Sequence, residues 1–234
     1  MRSLDAVEIR TLFQPIVDLE TRKTWAVEAL ARCTRPHFLD PQALLHAAVD
    51  QGATGRLGRL LRQCAFEACP DQRIFVNIHP HELSSRWLVR ADDPIGFHDA
   101  PVFLEITEAA AFEYFDLCRS VLREICNRTG AHLVLDDIGA GYSNLTRFLE
   151  LDPDVVKLDR ALISSIDTDP RRQKMVKHLN ALFTDLGASV VAEGIETPSE
   201  LAAVVDTGVA YGQGYLFARP AFPIPDVDWP HGIG

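Results

Sequence analysis

The chain has 234 residues, of which 47% are hydrophobic and 24% charged, and its formal net charge is −10. That composition supplies a sizeable core and argues against disorder, while the acidic balance argues against an extended nucleic-acid surface, which needs a basic face. A small anionic substrate stays open wherever metal ions reverse the local sign.

In chain order, short apolar runs alternate with helical patterns. Strands are predicted over Leu12–Val17 and Trp25–Leu30, then helices over Pro41–Asp50 and Arg56–Cys69. Strands follow at Ile74–Ile78 and Val102–Ile106, a helix at Phe112–Asn127, and strands at His132–Asp136 and Val155–Leu158. A helix over Arg171–Leu186, a strand over Ser189–Ala192, a helix over Pro198–Val205 and a short strand near Tyr211–Gly214 complete the series. The turn Asp18–Thr24 is too short for a crossover helix, so the first two strands should pair antiparallel and the rest parallel. The expected fold is a modified TIM-type (β/α)8 barrel with an antiparallel first strand pair, and the alternative is a doubly wound open sheet. No linker, low-complexity tract or repeat interrupts residues 1–234, so one domain is expected.

No apolar run of about 18 residues marks a membrane span. The stretch Met1–Arg10 has no apolar signal-peptide core, and cytoplasmic residence is the expectation. The five cysteines form no C-x-x-C pair and read as reduced, mostly buried thiols.

Polar residues recur at the ends of the apolar strands: Glu28, Asn77, Glu105 with Glu108, Asp136 with Asp137, Lys157, Glu193 and Gln213. In a barrel, strand carboxyl ends converge on one mouth. Side chains alternate along a strand, so Ala26 and Glu28 share a face, as do Phe75 and Asn77, Phe103 and Glu105, and Val155 and Lys157. Carboxylates gathered this way repel, at roughly 4 kcal/mol for a pair about 4 Å apart at an effective dielectric near 20. Protons or divalent cations must relieve that repulsion. Oxygen donors with one amide suit magnesium or manganese, and two ions so held stabilise both the attacking and leaving oxygens in phosphoryl chemistry.

Any one of these acids alone reads more simply as a cap or a surface ion, and Asp136 could merely cap the following turn. His79 and His81, flanking Pro80, read as loop or cap residues rather than metal ligands. Leu57, Leu60, Leu61 and Phe66 form a core stripe.

Taken together and in order, the motifs Phe13-Gln14-Pro15-Ile16, Glu28-Ala29-Leu30 with Arg32, Asn77, Glu105-Ile106-Thr107-Glu108, Asp136-Asp137 with Gly139-Ala140-Gly141-Tyr142-Ser143, Lys157-Leu158-Asp159, Glu193-Gly194-Ile195-Glu196 and Gln213-Gly214-Tyr215 resemble the EAL domain over roughly Leu12 to Pro220. The resemblance implies a barrel that hydrolyses cyclic-di-GMP to linear pGpG with two magnesium or manganese ions. It implies Glu28, Asn77, Glu105 and Asp136 at one metal, and Asp136, Asp137 and Glu193 at the other. Lys157 would contact the attacking water, Glu193 or Lys157 would accept its proton, and Gln213 would orient the set. Gln14, Leu30, Arg32, Asp159 and Glu196 fall where the family contacts substrate. Glu108 matches the anchor of the loop after Asp137, which helps form the family's homodimer.

Departures from the family pattern are Ile138, Ala140, Asn144, Ala31, Cys33 and His79, none of them a direct metal ligand. They bear on loop 138–144 and on substrate packing. An inactive cyclic-di-GMP receptor and a protein-interaction module are the alternatives; both typically lose residues that are present here. Sensor or cyclase domains in a longer native protein stay open.

Overall fold

The structure is a computed structural model that describes residues 8–85, 87–139, 145–230 and 232, without the side chain of Leu145. Its sheet closes on itself in sequence order, β1(Ile9–Asp18), β2(Lys23–Cys33), β3(Ile74–Asn77), β4(Val102–Thr107), β5(His132–Ile138), β6(Val155–Leu158), β7(Ser189–Ala192) and β8(Tyr211–Gly212). The first strand is antiparallel to both neighbours, β2 and β8, and the remaining pairs are parallel. The expected barrel and its inverted first strand are therefore present. Closure removes the exposed edges that an open sheet would leave.

Helices α1(Pro41–Asp50) and α2(Thr54–Ala68) follow β2, and the short α3(Pro80–Leu83) follows β3. Asp40 caps α1 by accepting from the Gln42 N–H at 3.0 Å, with Pro41 in the first turn, where its missing donor costs nothing. His79 caps α3 in a reciprocal box with Glu82, which is the cap role read from the sequence.

The helix expected over Phe112–Asn127 is instead broken. It runs as α4(Glu108–Glu113), α5(Phe115–Leu117), a π turn over Cys118–Leu122 and α6(Arg123–Thr129). Tyr114 leaves helical geometry at φ −103° and ψ 35°. The widened turn lets both Cys118 and Leu122 reach the core, which a uniform apolar pattern does not reveal. Farther on lie α7(Leu145–Leu151), α8(Arg160–Ile163), α9(Pro170–Asp185) and α10(Pro198–Asp206). The last two start on Asp169 and Thr197 caps, each followed by proline.

Inside the barrel, Ile16, Ala26, Phe75, Phe103, Val134, Val155 and Val191 form one apolar layer. Within the layer Phe75 stacks on Phe103 with centroids 4.3 Å apart, and Trp25, packed against it, stacks on Tyr211 at 4.0 Å. These rings close the amino-terminal end with a dry floor. Outward-facing residues such as Phe13, Val27, Val76 and Leu104 join the larger core under the helices. Of the cysteines, Cys33, Cys69 and Cys118 are buried, Cys64 and Cys126 partly so, and all are free.

Candidate active site

The side chain two residues beyond each member of the apolar layer, toward the strand carboxyl ends, is polar: Ala26 leads to Glu28, Phe75 to Asn77, Phe103 to Glu105, Val134 to Asp136, Val155 to Lys157 and Val191 to Glu193. On the inverted β1 the step runs backward, from Ile16 to Gln14, which sits opposite Glu28 in register. Tyr211, packed under the same layer, leads to Gln213. Two-residue periodicity thus places one polar group from each of the eight strands or their immediate extensions above an apolar floor. Glu193 and Gln213 stand just past the last residues of β7 and β8.

Lys157 lies at the centre and is 1% exposed. Its Nζ is 2.7 Å from Glu105 Oε1, 2.7 Å from Glu193 Oε1, 3.4 Å from Asp136 Oδ1 and 3.6 Å from Glu28 Oε2. Gln213 Nε2 donates to Glu28 Oε2 at 2.7 Å and to Gln14 Oε1 at 3.2 Å, while Gln14 Nε2 donates to Ala218 O. Asn77 Nδ2 donates to Glu28 and Glu105 at 3.3 and 3.2 Å. These contacts join Gln14, Glu28, Asn77, Glu105, Asp136, Lys157, Glu193 and Gln213 into one network.

Strict alternation would send Asp136 and Asp137 to opposite faces. The β5–β6 register instead shifts between Leu135 and Ile138, and Asp137 adopts a left-handed φ of 60°. Such a conformation is costly for a non-glycine residue and marks a constrained site. As a result Asp136, Asp137 and Glu193 each present a carboxylate oxygen within 4.8 Å of the others. Asp136 also accepts from the Asp137 N–H at 3.0 Å.

Burial pushes Glu105 well above the ordinary carboxyl value; Lys157 pulls it down, and Glu28 and Asp136 push it up again. Glu193 is raised to about 8, first by burial, against the opposing pull of Lys157 and with Asp136 and Glu28 adding. Asp137 rises through burial, then Asp136 and Asp159. Burial alone would lower Lys157, yet the surrounding carboxylates, Glu105 first, hold it well above its usual value. Five carboxylates facing one ammonium leave a formal charge of about −4, the amount two divalent cations neutralise. The donors are hard oxygens, so the residues present fit such ions.

The other expected contacts surround this ring. Leu30 and Arg32 line a cavity of about 450 Å³ beside Asn77, His79 and Pro80, and Arg32 Nη1 donates to Ala31 O. Asp159 caps α8 by accepting from the Ala161 N–H at 2.8 Å, and Glu196 pairs with Arg160 at 3.0 Å. Gln14 is buried and bonded within the ring. Glu108 is buried at the start of α4, and neither of its carboxylate oxygens has a hydrogen-bond partner among the described residues. Residues 140–144 of the glycine loop, including Ala140 and Asn144, lie outside the described residues.

Two contributors escaped the sequence reading. Arg160 carries no signal beyond following Asp159. Glu200 accepts backbone N–H bonds from Ser165, Glu196 and Thr197 at 2.8, 3.0 and 3.1 Å, and Thr-x-x-Glu was the visible hint.

The EAL domain model matches residues 1–220. The chain belongs to the EAL domain family. It is 33% identical over 238 residues to the cyclic di-GMP phosphodiesterase RocR of Pseudomonas aeruginosa, covering 94% of this chain and 59% of that protein. It is 29% identical to the cyclic di-GMP phosphodiesterase PdeR of Escherichia coli, covering 88% of this chain and 34% of that protein. The chain therefore spans between about a third and three fifths of the length of these relatives. Among solved structures, the PaMucR phosphodiesterase in complex with c-di-GMP superposes with a TM-score of 0.77 at 25% identity, covering 92% of each chain. Klebsiella pneumoniae BlrP1 in its manganese/cy-diGMP complex gives 0.79 at 28% identity, covering 92% of this chain and 56% of that one.

Proposed function

We infer that this EAL domain hydrolyses cyclic di-GMP to linear pGpG. The observation that carries the reading is the closed tier of Glu28, Asn77, Glu105, Asp136, Lys157 and Glu193 standing on a dry floor, with Asp137 turned into it by the bulge. Glu28, Asn77, Glu105 and Asp136 would hold one divalent ion, and Asp136, Asp137 and Glu193 a second, magnesium or manganese by their oxygen donors. When bound, such ions supply an acidified water and neutralise phosphate charge.

The chain's own groups do the rest. Water oxygen bonds to phosphorus as the bond to the ribose 3′-oxygen breaks; one proton leaves the water and one reaches the departing oxygen. Glu193, 2.7 Å from Lys157, would accept the first proton, and Gln213, which also donates to Gln14, would hold Glu28. Arg32 donates in a planar fork suited to phosphate.

Incubating the protein with cyclic di-GMP and manganese should yield pGpG, read by chromatography, and a chelator should stop it. Asp136→Asn should lower turnover by at least about a hundredfold. Tight binding without product would favour a receptor instead.

A further inference from the structure

Asn77 is the last residue of β3, and the turn after it borders open space. Asn77, Ile78, His79 and Pro80 all line the cavity of about 450 Å³, so packing on that side does not hold them. Hydrogen bonds do. The Ile78 N–H donates to Glu105 O at 2.8 Å, and the His79 N–H, two residues past Asn77, donates to Glu82 Oε1 at 3.1 Å.

Glu82 is itself fixed from α2. Arg62 Nη1 donates to Glu82 Oε2 at 2.8 Å, while Arg62 Nε and Nη2 donate to Asp93 at 3.2 and 2.9 Å. All three side chains are buried. Gly58, one turn before Arg62, leaves the space that the Glu82 carboxylate fills: a Cβ there would lie 1.9, 2.2 and 2.5 Å from its Oε2, Cδ and Oε1. Arg62 and Asp93 already neutralise each other in a bidentate pair, so Glu82 adds a buried negative charge without a cation of its own. Burial pushes its carboxyl upward, and Arg62 pulls against that. Packing alone does not call for a carboxylate here, because apolar replacements of buried ions are often neutral or stabilising. What an apolar side chain lacks is the acceptor for the His79 N–H.

We propose that Glu82 is a positioning residue: gripped by Arg62, it fixes the peptide two residues past Asn77 and so sets the affinity of the one ion that Asn77 helps to hold. The proposal rests on the two-ion reading above. Groups that orient a metal ligand from behind change metal affinity by about 10–100-fold.

The test compares the parent with Glu82→Met, Glu82→Gln, Gly58→Ala, Asn77→Ala and the Asn77→Ala/Glu82→Met double variant. Calorimetric manganese binding, the manganese dependence of turnover and the urea midpoint are measured for each. Glu82→Met keeps the length of the side chain and leaves Arg62 paired with Asp93. It should weaken one of the two ions by about 10–100-fold and leave the other and the urea midpoint close to the parent's. The manganese needed for half-maximal turnover should rise to match, with kcat at saturating manganese changed less than about threefold. Glu82→Gln, whose amide oxygen still accepts from His79, should recover part of the loss. Gly58→Ala places a better helix former in α2, yet should weaken the same ion by displacing the Glu82 carboxylate. Adding Glu82→Met to Asn77→Ala should cost little more, because both act through one ligand. If Glu82→Met fails to fold, Glu82→Gln and Gly58→Ala decide the matter. Unchanged affinities, equal losses at both ions, or additive losses in the double variant would overturn the proposal. A parent that binds two ions without cleaving cyclic di-GMP would refute the phosphodiesterase reading, while the affinities still decide the role of Glu82. A parent that binds no manganese overturns both.

Discussion

Lys157 is held by four carboxylates in a site from which water is largely excluded, so its removal has no ready substitute. Lys157→Met keeps the stem and deletes the charge. Turnover should fall by about 10²–10⁴, the range for disabling a positioned proton acceptor, because Glu193 loses the ammonium that holds it. A kcat/KM within tenfold of the parent would remove Lys157 from the mechanism. The carboxylates around it also set a pH dependence. Glu193 is raised to about 8, and Glu105 and Asp137 are raised too, whereas in an unfolded chain such carboxyls titrate near about 4. Metal-free folded protein then binds more protons than the unfolded chain, so stability falls as pH rises through this interval. His79 is lowered, mainly by burial and then by His81 and His46, and Lys157 is held well above its usual value by the surrounding carboxylates. In chelator, the urea midpoint should therefore fall between about pH 7 and about pH 8.5, and manganese should remove the fall by binding the deprotonated carboxylates. A midpoint that climbs over that range in chelator would show the sign to be wrong.

The tier residues were legible in the sequence because strand alternation is a reliable ruler: counting two from an apolar layer reaches Glu28, Asn77, Glu105 and Lys157 without coordinates. The same ruler fails at Asp136 and Asp137, where a bulge and a left-handed residue are needed to bring neighbours to one face. It also fails at Tyr114, where apolar spacing continues through a break that only tertiary packing explains. The placement of Arg160 was illegible because its stem lies over the backbone of Gly194, more than thirty residues away. At the scale of elements, α2 and α3 are tied by a buried network in which Arg62 meets Glu82 at 2.8 Å and Asp93 at 2.9 Å. Gly58 leaves the space Glu82 occupies, since a Cβ there would collide with its carboxylate. This network steadies the segment after β3 that carries Asn77. Arg62→Ala would strand two buried carboxylates and should cost about 3–5 kcal/mol in denaturant unfolding. A loss under about 1 kcal/mol would mean that water or rearrangement satisfies them.

Across the whole molecule, the barrel divides into a dry interior and a charged mouth, and the cysteines belong to the dry part. Burial raises Cys69 to about 11 and Cys118 to about 12, and Cys33 is equally hidden in the α1–α2 packing. In native protein at about pH 8, Cys33, Cys69 and Cys118 should resist a chromogenic disulfide reagent, and all should react in denaturant. Rapid native labelling of Cys118 would show the core opening far more readily than its burial implies. At this scale the central claim is electrostatic: the formal excess of about four negative charges at the mouth is there to be met by two divalent ions. Equilibrium dialysis against manganese in the presence of cyclic di-GMP tests it most directly. We expect two ions per chain in the parent, and fewer than two in Asp136→Asn, whose carboxylate belongs to both proposed ligand sets. Parent protein that takes up no manganese, or an Asp136→Asn variant that binds two ions as tightly as the parent, would contradict the account.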